Sequence, residues 1–178
     1  MTAYAVENSS IFDNNPQVTN LPAGRYKVTS ISDGDTLSVD MNGKSELLRL
    51  IGIDTPEKNH PEKPVQCFAV AATMFLESEI DRAGGYVRLQ ADPTNDNRDQ
   101  FNRLLRYVYL DDGTLVNKEI LAQGYGFAYT GFPLQKMDEL IEAERQARES
   151  ESGLWSNCEP SIENGRYTTE PVDQTESP

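Results

Sequence analysis

Three short segments of the 178-residue chain concentrate side chains that suit one kind of chemistry. Asp33-Gly34-Asp35-Thr36 and Asp54-Thr55-Pro56-Glu57 supply carboxylates and carbonyls, which are hard oxygen donors. Arg49, fourteen positions after Asp35, and Arg103, in Asp99-Gln100-Phe101-Asn102-Arg103, supply guanidinium groups. Carboxylates with a carbonyl can hold a hard divalent cation while leaving room for water and a phosphate oxygen. A guanidinium offers a planar fork to such oxygens and keeps its charge near neutral pH. Each segment alone has a plainer reading. Asp33-Gly34-Asp35 is a common turn, Asp54-Thr55-Pro56-Glu57 a loop or helix start, and Arg103 a surface partner of Asp99. Together, where strands end, they suit a functional site better than a core.

Other metal and nucleophile chemistries are short of residues. Cys67 and Cys158 are too few for a four-cysteine zinc site, and His60 is the single histidine, which nearly excludes a histidine zinc site or a histidine relay. Lys58, His60 and Lys63 follow Glu57 and read as a solvated loop. The two cysteines can close a loop of about 90 residues if the final segment folds back across the first helix; two separate reduced thiols are the other reading.

The elements that must position these groups are readable from period and punctuation. Arg25 to Ile31 alternates with β-branched residues, Thr36 to Met41 and Glu46 to Ile53 follow as strands, and Asn42-Gly43 between the latter two is a two-residue hairpin signal. Strict alternation through the third strand places Arg49, Ile51 and Ile53 on one face and Leu50 and Gly52 on the other. An arginine among isoleucines demands an anion. Phe68, Ala71, Ala72, Phe75, Leu76 and Ile80 recur at helical steps, so a helix is expected over 65–83, ended by Gly84-Gly85. Strands are expected over 86–91 and 104–110. A short helix capped by Asn117 should run to Gln123, and a last helix from Leu134 to Ser150 should bury Leu140, Ile141 and Ala147. This order suggests a β-rich α+β domain, a small five-stranded barrel with about three packed helices.

At these motifs the sequence resembles the staphylococcal nuclease (thermonuclease) family, from about Tyr26 to Ser156, where Gly153-Leu154-Trp155-Ser156 adds a further match. The resemblance implies an OB-fold barrel and calcium-dependent hydrolysis of phosphodiester bonds in DNA and RNA, with 3′-phosphate products. It implies that Asp35, Asp54 and the Thr55 carbonyl hold Ca2+ and that Arg49, Glu57 and Arg103 carry catalysis. Tyr129 and Phe132 would stack on bases; ordinary barrel packing is the other reading for this pair. Phe101 stands where the family often has tyrosine, which removes a hydroxyl contact to substrate, and Asn102 replaces a glycine. A non-catalytic nucleic-acid or protein binding module on the same fold is the alternative, although such a module has no need for all five charged groups.

Composition bounds the rest. Lys+Arg 16 against Asp+Glu 29 gives a net charge of -13, which disfavours phosphate-rich partners. The excess is spread unevenly. An N-terminal arm over 1–24 carries -2, an expected disordered acidic tail over 159–178 carries -4, and the domain over 25–158 holds the remaining -7. No apolar run is long enough to span a membrane. The start of the chain lacks the pattern of a signal or anchor. The expectation is a monomer, secreted or in the cell envelope, with nucleic acid as substrate and no protein partner.

Overall fold

The computed structural model describes residues 21–59 and 64–172. The arm over 1–20, His60 and Lys63, and the tail end over 173–178 lie outside the described residues.

Five strands close a barrel in the order β1-β2-β3-β6-β5. They are β1 (Tyr26–Asp33), β2 (Thr36–Met41), β3 (Lys44–Leu50), β5 (Tyr86–Gln90) and β6 (Leu104–Tyr109). All neighbours are antiparallel except β3 and β6. Asn42 and Gly43 both take positive φ at the β2–β3 turn, as a two-residue hairpin requires. Leu37, Val39, Leu48, Leu50, Val87 and Val108 fill the barrel, and each aliphatic side chain so buried contributes roughly 1.5–3 kcal/mol. The expected OB-fold barrel is the fold observed.

Helix α1 (Ala69–Arg82) packs on the barrel through Ala72, Leu76 and Ile80, and Gly84 and Gly85, both at positive φ, end it. It starts four residues later than the period suggests, because Val65 to Cys67 are engaged elsewhere: Cys67 N–H donates to Glu170 O and Val65 O accepts from Val172 N–H. Helices α2 (Val116–Ala122) and α3 (Met137–Glu149) follow, the latter shorter than the expected span at both ends, then the single turn α4 (Leu154–Asn157). The inner face of α3 is Leu140, Ala143 and Ala147. Ile141, expected there, is 41% exposed, because it lies one helical step from that stripe.

Two further corrections bear on function. Asn117 does not cap α2. It is fully buried, its Nδ2 donates to Ile51 O (2.8 Å), and its Oδ1 accepts from Val108 N–H (2.8 Å). It thus ties the turn after β3 to β6, fixing the short stretch that separates Arg49 from Asp54. The expected disordered tail is also ordered over most of its length. Strands β8 (Ser161–Glu163) and β9 (Arg166–Thr168) form a hairpin. Its turn, Asn164-Gly165, has φ of 51° and 78°, the same two-residue device as Asn42-Gly43. Backbone pairing and a seat for Tyr167, stacked on Phe127 at 5.2 Å, offset the entropy that composition alone leaves uncompensated.

Cys67 and Cys158 are joined as a disulfide, with Cα atoms 6.0 Å apart. The bond links the residue preceding the α1 entry to the end of α4, directly before the hairpin.

Candidate active site

The turn from β1 into β2 carries the first carboxylates. Gly34 allows it to approach closely: a Cβ there would lie 2.8 Å from Ala72 Cβ and 3.0 Å from the Thr55 side chain. That approach lets Asp35, 5% exposed, reach Thr55, whose N–H donates to Asp35 Oδ2 at 2.9 Å. Thr36 Oγ1 donates to the other oxygen, Oδ1, at 3.0 Å.

Strand β3 ends at Leu50, and Ile51 and Gly52 turn the chain, Gly52 at φ 80°, into the two-residue strand β4 (Ile53–Asp54), paired with β7 (Phe127–Ala128). The turn breaks the alternation expected through Ile53. Arg49 lies on the face of β3 opposite to Leu48 and Leu50, which are buried in the barrel. The anion it demands is supplied by the protein: Nη1 meets Asp35 Oδ2 at 2.5 Å and Nη2 meets Asp54 Oδ1 at 2.6 Å. Burial works against the Arg49 charge, but Asp35 and Asp54 more than compensate and hold its pKa above the usual arginine value.

Two carboxylates therefore share one guanidinium, with Asp33 beside Asp35. Burial, then Asp35, pushes the Asp33 carboxyl up to about 7. Burial likewise raises Asp54 to about 6, with Arg49 opposing the rise. Asp33 was read from sequence as part of a turn motif only, and the structure brings it beside Asp35, whose N–H donates to Asp33 Oδ1 at 3.3 Å. A cluster with more negative charge than one arginine neutralises, built wholly from oxygen donors, suits a hard divalent cation. Of the expected ligands, Asp35 and Asp54 are both engaged by Arg49, and Thr55 meets Asp35 through its N–H.

Without a cation these acids favour folding more as they become protonated. Their folded pKa values lie above the ordinary carboxylate range, so their contribution is largest below about pH 4 and is lost as pH rises through about 6 to 7.

Glu57 is half-buried beside this cluster. Its N–H donates to Gln66 Oε1 at 2.6 Å, which holds the loop while no protein partner engages the carboxylate among the described residues. Arg103 follows Asn102, which takes φ 65°. Asp99 organises that loop, accepting from Phe101 N–H and Arg103 N–H at 2.9 Å each and from Arg103 Nε at 2.7 Å. Burial raises the Asp99 pKa, but the hydrogen bonds from Arg103 outweigh it, so Asp99 stays ionised. The ion pair expected as the plain reading is therefore present. It uses Nε and leaves the two terminal nitrogens of Arg103 to a cavity of about 450 Å3 that Arg49, Asp54, Phe101, Tyr129 and Phe132 also line.

Phe101 (69% exposed) and Phe132 (58% exposed) project at its rim, and Tyr129 lies 6.0 Å from Phe132, ring to ring. A second cavity, of about 420 Å3, opens past Glu57 between Gln66 and the β8–β9 hairpin. Arg166 of that hairpin borders both cavities, a participant that the sequence reading missed because it lay in the supposed tail.

Residues 47–157 match the family described as staphylococcal nuclease homologue. The chain belongs to the staphylococcal nuclease family. Among relatives of this family, a thermonuclease of Staphylococcus hyicus is 37% identical over 133 residues, 74% of this chain and 76% of that protein. A thermonuclease of Staphylococcus intermedius is 34% identical over 138 residues, 77% and 79% of the two chains. Endonuclease YncB of Bacillus subtilis is 34% identical over 126 residues, which span 70% of this chain and 58% of that protein.

Proposed function

We propose that this member of the staphylococcal nuclease family is a calcium-dependent nuclease that hydrolyses phosphodiester bonds of DNA and RNA, leaving 3′-phosphates. The observation that carries the reading is the pairing of Asp35 and Asp54 with one half-buried arginine, with Asp54 lining the same cavity as Arg103. The names of the relatives, thermonuclease and endonuclease, support it.

Asp35, Asp54 and the Thr55 carbonyl would hold the cation, which when bound polarises a phosphate oxygen and the attacking water. Arg49, relieved of its carboxylates by that added charge, and Arg103 bind the oxygens on which negative charge grows as water attacks in line. Glu57 orients that water or takes its proton. Phe101, Tyr129 and Phe132 offer faces for bases. The Cys67–Cys158 disulfide and the secreted character of an oxidising compartment fit each other, so we assign the chain, acting as a monomer, outside the cytosol. Among the described residues no helix is long and apolar enough to cross a membrane.

The test is cleavage of single-stranded DNA and RNA with calcium and with chelator. Cleavage that chelation abolishes is expected; none with any divalent cation leaves the binding module instead.

Acidity supplies a second expected result. A cation held by Asp54 must displace the proton of a carboxyl with pKa near 6, so its affinity should fall by up to about tenfold per pH unit below that value. Calorimetric titration with calcium at pH 8 and pH 5.5 measures it, together with the protons released. An affinity independent of pH would show that Asp54 is not a ligand.

A further inference from the structure

The β8–β9 hairpin lies beyond residues 47–157, the span matched to the family, yet it is fixed to the site by short contacts. Gln66 bridges the two: its Oε1 accepts from Glu57 N–H at 2.6 Å, and its Nε2 donates to Thr168 Oγ1 at 2.7 Å. Thr169 Oγ1 donates to Cys67 O at 2.8 Å. An arginine on this hairpin is thus held as firmly as the loop that carries Glu57.

Arg166 is placed differently from most arginines of the molecule. Arg25, Arg82, Arg88, Arg98 and Arg145 are paired with carboxylates at 2.5–2.8 Å. Arg166 has no such partner among the described residues. Its guanidinium lies 4.6 Å over the Tyr129 ring, and Nη2 donates to Tyr129 Oη at 2.8 Å. Stacking on a ring and one bond to a phenol orient the fork and leave other N–H donors for an anion. Asp54 and Arg166 are common to the linings of the two cavities, and no other hairpin residue reaches the one containing Arg49 and Arg103. A strand crossing from one cavity to the other passes Arg166.

We infer that Arg166 binds a phosphate of the substrate strand adjacent to the one being cleaved, with Tyr129 presenting the guanidinium. The inference rests on the nuclease reading for the strand's path. Because the folded part of the chain is itself acidic, few other cations are available to a neighbouring phosphate, so this contact should carry a visible share of the salt dependence.

The experiment is fluorescence anisotropy of a labelled single-stranded octanucleotide, with calcium, in a Glu57→Gln background that prevents cleavage. Arg166→Ala is expected to weaken binding about tenfold, the value of a charged hydrogen bond, and to reduce the slope of log affinity against log salt by about 0.7. Arg166→Lys should keep the slope while losing part of the affinity. Competition by inorganic phosphate, which needs only the cleavage position, should change far less. An unchanged slope overturns the inference, as does equal weakening toward inorganic phosphate. So does a lowered melting temperature in both arginine variants with the slope intact, which marks a structural role. Failure of the wild-type protein to cleave would sink the nuclease reading alone, since the octanucleotide slope still decides Arg166; failure to bind the octanucleotide overturns both.

Discussion

Glu57→Gln is expected to lower kcat by about 10²- to 10⁴-fold, the range for loss of a positioned acid–base group. The argument is geometric. The Glu57 backbone is tied to Gln66, while its carboxylate, beside Asp54 and Thr55 on the wall of the second cavity, is engaged by no protein group among the described residues. A carboxylate so placed is available to water. Glutamine keeps the size and one acceptor oxygen but cannot take a proton. If Glu57 is the base, the acidic limb of the kcat/KM profile disappears in the variant; if it only positions water, the limb survives at a lower rate. An unchanged kcat would remove Glu57 from the mechanism. Arg103→Ala, by comparison, should cost about 10²- to 10³-fold, as loss of one donor to developing charge does. Arg103→Lys should restore little, because lysine cannot bond Asp99 through Nε and present a fork to the cavity at once.

Much of this site was legible in the sequence because its residues sit at strand ends, where period and punctuation are clearest. Asp35, Arg49, Asp54, Thr55 and Glu57 lie on adjacent turns of one barrel corner, and pairing of β2 with β3, Thr36 opposite Arg49, brings the first two together. What the sequence could not say is that Arg49 would find its anions within the protein. Strict alternation was carried through Gly52, where positive φ ends it. The barrel itself followed from five strand signals in order, whereas the closing parallel pair of β3 and β6 is a long-range contact that no local pattern announces.

The C-terminal hairpin was misread for a different reason. Asn164-Gly165 carries the same turn chemistry as Asn42-Gly43, but its surroundings are acidic and rich in Pro and Thr, a composition that masks a hairpin. The apolar partner of β9 is Phe127, forty residues earlier in the chain, and only tertiary structure shows that Tyr167 has a ring to stack on. Asn117 is a similar case: its type fits a helix cap, but a residue with no exposed surface must satisfy both amide groups, and Ile51 and Val108 offer the partners. Charge arithmetic was also revised by position. The acidic excess includes Asp35 and Asp54, which both face Arg49, with Asp33 beside Asp35.

Reduction of the Cys67–Cys158 disulfide is expected to lower the unfolding free energy by about 4–5 kcal/mol, the chain-entropy value for a loop of this length. Domains of this size are commonly stable by only about 5–15 kcal/mol, so the reduced protein should sit close to the unfolding threshold. The link matters beyond its loop because Val65 and Cys67 also pair by backbone bonds with Val172 and Glu170, past the hairpin that follows Cys158. Releasing it loosens Cys67, the neighbour of Gln66, and Gln66 connects Glu57 to the hairpin. Urea unfolding of the oxidised protein beside Cys67→Ser/Cys158→Ser measures the stability term, and octanucleotide affinity of the same variant, at a temperature where it remains folded, measures the coupling to the site. Equal unfolding free energies would sink the first. If stability falls while octanucleotide binding is unchanged, the hairpin is held by its backbone pairing and by Tyr167 on Phe127, and the disulfide serves stability alone.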